Sequence, residues 1–281
     1  PAASYNSFEA TPTASFDVSS VSITAERRIN RSQQVASQEV NFSPEGQANG
    51  LLTYDAGTKT YRWTNSSLGS SDLNGYSCGG ATPFHCYGRD SGGLAERVMV
   101  YKSGIAHGSQ PSIALTYATF IEVQQVQRAA QQPTKDGDLV SNDRISFGLA
   151  GFRTLASDMP KSGTATYASP RTYAQAALSD ATASRLLSGH ATLTADFGTG
   201  NITTQLMLQA FSVPTSPFDT YTGSGSITSG TALFGGNIGN GILTGTFNGA
   251  FFGPAAKEMG YTFRMTNGAG DHLAGVVVGY K

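Results

Sequence analysis

Gly245-Thr246-Phe247-Asn248-Gly249-Ala250-Phe251-Phe252-Gly253-Pro254-Ala255-Ala256-Lys257-Glu258-Met259-Gly260 decides how the rest of the chain is read. Leu243, Gly245, Phe247, Gly249 and Phe251 share one parity. A period of two marks a strand with one face buried. Gly253-Pro254 then interrupts it, because glycine accepts turn geometry and proline offers no N–H to a ladder. Gly260-Tyr261-Thr262-Phe263-Arg264-Met265 resumes a strand after the turn. Glycine on the inward parity suits a tightly curved sheet, where neighbouring backbones approach closely.

Outward from this stretch the pattern repeats. Leu193, Ala195 and Phe197 alternate with Thr192, Thr194 and Asp196. Gly198-Thr199-Gly200-Asn201 reads as a turn, after which Ile202, Leu206 and Leu208 continue the apolar parity. The last strand is read at Leu273 to Tyr280. Short strands and glycine turns at even spacing from about residue 160 onward predict an antiparallel barrel. Closure also removes exposed sheet edges. Toward the N-terminus, strands are read around Phe16, Val18, Val21 and Ile23, and over Val35 to Phe42. Leu51-Leu52-Thr53-Tyr54 and Thr60-Tyr61-Arg62-Trp63 flank a glycine turn at Asp55 to Lys59, a hairpin signature. Ser66 to Gly93 is Gly- and Ser-rich and reads as irregular. Leu94 to Tyr101 and Ile113 to Val126 read as strands, Gln124 to Gln132 as a loop or short helix, and Ile145 to Phe147 as a short strand.

Composition agrees with an all-β chain. Gly contributes 34 of 281 residues and charged residues only 13%, so helix-forming runs of Glu, Lys and Leu are missing. A net charge of −1 argues against nucleic acid, which needs clustered Lys and Arg. The cluster Arg27, Arg28 and Arg31 reads as a solvated stretch beside a strand. No run of eighteen apolar residues predicts a transmembrane helix. Pro1-Ala2-Ala3-Ser4 lacks a signal-peptide pattern, which suggests a mature or trimmed chain, and any lipid anchor would sit upstream. Cys78 and Cys86 flank Gly79 to His85, and a disulfide between them would close that short loop in an oxidising compartment. Their spacing does not suit a zinc knuckle.

Met159-Pro160-Lys161-Ser162-Gly163-Thr164-Ala165-Thr166-Tyr167 opens the second half, and Gly189-His190-Ala191-Thr192-Leu193-Thr194-Ala195-Asp196-Phe197-Gly198-Thr199-Gly200 follows. With Phe251-Phe252-Gly253-Pro254-Ala255-Ala256-Lys257-Glu258, this order resembles the barrel domain of transferrin-binding protein B-like surface lipoproteins and Slam-dependent haemophores. Tyr261 departs from the pattern, since the family often has glycine there. The resemblance implies a handle-like antiparallel sheet domain over 1–158 and an eight-stranded barrel over 159–281. It also implies a binding protein without catalysis, at the outer-membrane surface or secreted by a Gram-negative bacterium. Such proteins capture haem, haem carriers or host proteins and often hand cargo to a TonB-dependent receptor.

Motifs for chemistry are weak. Gly75-Tyr76-Ser77-Cys78-Gly79 matches a nucleophile elbow by letters, but no helix pattern follows it. Asp90-Ser91-Gly92-Gly93 lacks a histidine motif to complete a triad. No phosphate-binding glycine loop is present, and the carboxylates read mostly as turn or polar-face residues. If haem is the cargo, His85 becomes the leading ligand, because it sits in the cysteine loop and is flanked by Tyr76, Phe84 and Tyr87. Imidazole or phenolate can ligate haem iron. His107, in Ser103-Gly104-Ile105-Ala106-His107-Gly108, is a second candidate, and a bis-His site follows if the two loops meet. The same aromatics equally suit a protein-recognition patch or packing on the sheet. His190 and His272 read as surface residues.

Overall fold

The structure, a computed structural model, describes residues 13–29, 35–42, 48–55, 60–65, 69–71, 84–91, 94–101, 113–128, 139–179, 184–210 and 219–281. The N-terminal sheet holds β1 (Thr13–Ile29), β2 (Val35–Phe42), β3 (Ala48–Asp55), β4 (Thr60–Asn65), β5 (Gly69–Ser71), β6 (Phe84–Ser91), β7 (Leu94–Tyr101), β8 (Ala118–Arg128) and β9 (Leu139–Gly151). All pairings are antiparallel, in the order β5-β4-β3-β1-β9-β8-β7-β6. The long strand β1 carries two partners on one edge, β3 along its first part and β2 along its second, while β9 runs along the other edge.

The C-terminal sheet holds β10 (Thr164–Tyr167), β11 (Thr172–Ser179), β12 (Ser184–Asp196), β13 (Asn201–Ala210), β14 (Asp219–Ile227), β15 (Leu233–Gly239), β16 (Thr244–Phe252), β17 (Glu258–Thr266) and β18 (His272–Tyr280). Pairing of β12 with β13 closes the ring. β10 and β11 both pair with β12, at Leu193–Asp196 and Ser184–Gly189 respectively, so together they form one broken stave. The result is the eight-stranded antiparallel barrel expected from the sequence. Its interior is packed with side chains. Tyr167, Tyr261, Phe247, Phe251, Phe263 and Leu193 are all fully buried within it. Eight strands leave just enough interior for side chains to fill. Tyr261 pairs in register with Gly249, and a Cβ at Gly249 would lie 2.6 Å from the Tyr261 Cβ. The bulk at 261 therefore requires the glycine across from it.

The structure corrects several expectations. Ile113 to Tyr117 is not a strand, and pairing starts at Ala118. The N–H groups at 116–118 serve another purpose, described below. Gln124 to Arg128 continues β8 instead of forming a loop or helix. Gln124 and Gln125 are only half-buried there, which explains their polar character. β9 is thirteen residues long, not a short element around Ile145. Part of the Gly- and Ser-rich segment forms β6, which puts His85 on a strand and not in a loop. His272 starts β18 instead of sitting in a turn. β11, β14 and β15 had no reading as strands. β11 is buried on both faces, so it shows no alternation. β14 and β15 are built of Gly, Ser, Thr and Asn, whose strand preference comes from packing context and not from composition.

Candidate functional site

The two sheets meet along one continuous contact. β11 and β18 turn alternate side chains away from the barrel interior, and Tyr173, Ala177, Ala274, Val276 and Val278 form a buried layer there. Phe84, Met99, Tyr101, Phe120, Phe147 and Leu149 of the N-terminal sheet pack on that layer. The rings of Tyr101, Phe120 and Tyr173 are stacked, with centroids 5.0 to 5.9 Å apart. β11 and β18 are thus covered on both sides, which is why Leu273-Ala274-Gly275-Val276-Val277-Val278 is a continuous apolar run.

The Phe251–Glu258 segment closes this contact at one end. Phe251 points into the barrel core, while Phe252 joins Ala118 and Ala250 outside it, with Tyr117 packed alongside. Gly253 sits at φ +70°, and a Cβ there would fall 2.3 Å from a Tyr117 ring atom. Lys257 Nζ lies 5.7 Å from the centre of the same ring. Glu258 is fully buried and accepts three backbone N–H bonds, from Thr116 at 2.6 Å, Tyr117 at 2.9 Å and Ala118 at 2.9 Å. Burial raises its pKa, and the three N–H donors and Lys257 act in the opposite direction. Convergence on one carboxylate explains why 113–117 leaves the ladder.

A second buried carboxylate lies in the middle of the contact. Glu122 of β8 is fully buried. It accepts one bond from Gln124 Nε2 at 2.6 Å and another from Gln175 Nε2 of β11. Tyr173 donates its hydroxyl to Gln175 Oε1 at 3.0 Å. Burial pushes Glu122 up to about 7, with Gln124, the Arg97 charge and Gln175 opposing. The same burial, with Glu122 and Tyr101 adding to it, pushes the Tyr173 phenol far above its usual range. Glu122 and Glu258 are therefore exceptions to the expectation that the carboxylates fall mostly in turns or on polar faces. In each case one acid stands in an otherwise strand-like stretch, which gives no local signal of a partner some fifty or 140 residues away.

The sequence-predicted ligand residues lie in the N-terminal sheet or outside the described residues. His85 and Tyr87 lie on β6, paired in register with Val100 and Val98 of β7. Phe84 is buried, 5% exposed, edge-on to Tyr101 and Phe120. It is a core residue, not a surface anchor. Cys86 is buried beside it. Tyr76, Cys78 and His107 lie outside the described residues, so the meeting of the two histidine segments has no description here. On the barrel wall, an open groove of about 720 Å³ runs over residues 222–224, 237–239 and 244–246, and its lining carries no ionisable side chain. His190 is half-buried on β12, and burial lowers its pKa.

With this geometry in view, residues 159–281 match the family model described as C-lobe and N-lobe beta barrels of Tf-binding protein B. The barrel is of the transferrin-binding protein B type. No curated protein matches the chain. Solved structures of transferrin-binding protein B resemble it at low identity. A mutant from Haemophilus parasuis is 13% identical, with 96% of this chain and 76% of that chain covered at a TM-score of 0.49. The protein from serogroup B Neisseria meningitidis is 20% identical, covering 92% of this chain and 43% of that chain at a TM-score of 0.42. A mutant from Actinobacillus pleuropneumoniae is 11% identical, covering 93% and 99% at a TM-score of 0.42. The family match spans the barrel alone, where Gly253 and Glu258 help to form the plate on which the N-terminal sheet docks.

Proposed function

We propose that this chain is a non-enzymatic ligand-binding protein, displayed on or secreted from a Gram-negative cell, that serves nutrient acquisition with haem as its cargo and delivers it to a TonB-dependent receptor. The observation that carries this reading is a Tf-binding protein B-type barrel with a filled interior. Large buried side chains occupy the barrel interior, which favours capture by the N-terminal sheet and its connections. His85 and Tyr87 on β6 and His107 after β7 supply the imidazole and phenol groups that haem iron takes. Tyr76 belongs to the same segment. Phe84 backs that segment from the core. A Cys78–Cys86 disulfide belongs to this reading. The absence of a free thiol at Cys86 supports it. A stapled segment loses less conformational freedom on binding.

Haemin titration of the purified protein tests the proposal. The expected result is a shifted Soret band that is lost or displaced in His85→Ala or His107→Ala. A haemin spectrum identical to that of free haemin rejects haem as cargo. The alternative is then recognition of a host or receptor protein without small-molecule cargo. The similar proteins are named for binding transferrin, so transferrin is the first partner to try by surface plasmon resonance.

A further inference from the structure

We propose that the contact between the N-terminal sheet and the barrel is a proton-controlled joint, tightened when Glu122 takes up a proton and loosened when it ionises. Glu122 stands at the centre of that contact, fully buried, with Phe147 and Met99 as its register neighbours on β9 and β7. From β8 it meets Gln124, and from β11 it meets Gln175, with Tyr173 behind. The outward side chains of β18 at this layer, Ala274 and Val276, are apolar. Among the described residues, Arg97 on β7 is the cation whose charge acts on Glu122, and it is exposed. Tyr101 on β7 adds a phenol that acts through Tyr173. On the opposite parity, Glu96 accepts a bond from Gln125, and Arg144 occupies the matching position on β9.

The carboxylate is therefore stabilised by two neutral amides and by a cation screened by water. A buried charge with such partners is held weakly. Protonation removes the charge and leaves an acid O–H. Gln124 is half-buried, so it is free to turn its amide and offer a carbonyl to that O–H. The direction follows from linkage. An acid whose folded pKa lies above its unfolded value of about 4.5 stabilises the folded contact most below that value, and the gain is lost as pH rises through the folded pKa near 7. Acidification from neutral pH therefore closes the joint, whatever cargo the protein carries. Opening uncovers the Tyr173 and Val276 layer, so the device acts on the relative hold of the two bodies and not on the barrel interior.

Native-state hydrogen exchange on the intact protein tests this at pH 5 to 8, with rates corrected for intrinsic exchange. The expected opening constant for amides of β8 and β11 falls about tenfold per pH unit between pH 7 and pH 5. In Glu122→Gln that slope disappears. A wild-type constant that is flat or rises on acidification overturns the proposal, as does an unchanged slope in Glu122→Gln, which would point to Glu258. Carboxyl ¹³C titration of the wild type gives an answer that needs no variant. A Glu122 midpoint near 7 supports the joint, and one near 4.5 sinks it.

Discussion

Gly253 and Glu258 carry more of the architecture than their size suggests. Gly253 combines a positive φ with a ring pressed where a Cβ would be, whereas Gly163 has φ +84° with nothing within 4 Å. Gly163→Ala should lose only the strain of a left-handed backbone, about 1–3 kcal/mol. Gly253→Ala should lose more, because Tyr117 must also move. Denaturant melts of the two variants separate strain from collision, and equal losses would show that Tyr117 yields freely. Glu258→Gln keeps the shape but removes the charge that three N–H groups share. Hydrogen bonds to a charged group are worth about 1.5–3 kcal/mol. A loss of that order is expected, together with faster exchange at Thr116, Tyr117 and Ala118. Unchanged exchange at those amides would mean that the carboxylate does not hold the segment.

Among the elements, β16 and β17 were legible because each has one apolar parity facing a single core. Phe247 and Phe251 alternate with Thr246, Asn248 and Ala250, and the Gly253-Pro254 break sits between the strands. β11 was not legible. Thr172-Tyr173-Ala174-Gln175-Ala176-Ala177 is covered on both faces, and its Tyr and Gln are explained only by Glu122 across the contact. β18 did hold a usable signal. Ala274, Val276 and Val278 are apolar on the parity that faces away from the barrel interior, as expected of a strand with a second sheet packed upon it. Val276→Asp should therefore separate the two sheets without opening the barrel. Tryptophan-free near-ultraviolet circular dichroism of the isolated barrel variant is less direct than exchange at β8, which should speed up while β13 and β14 stay protected. Equal loss of protection in both would make the molecule one cooperative unit. The proposed ligand residues were the least legible feature. Histidine in a glycine-rich stretch reads the same on a loop as on the edge strand β6, and Phe84 reads equally as a recognition anchor or a sheet-packing residue, because burial by a distant sheet leaves no local mark.

At the scale of the whole molecule, a barrel with a packed core serves as the base on which the N-terminal sheet docks, and the proposed function puts the binding groups on that sheet. Cut at residue 159, the barrel would bare Tyr173, Ala274, Val276 and Val278 to water. A continuous apolar patch of that kind drives association. The isolated barrel should bind a hydrophobic dye and self-associate in sedimentation, and a monodisperse, dye-free barrel would show that the layer needs no cover. The most direct check on the division of labour is hydrogen exchange of the intact protein with and without haemin. Slower exchange confined to residues 76–107 is the predicted result. Protection centred on the barrel strands β12 to β17, with residues 76–107 unaffected, would contradict it.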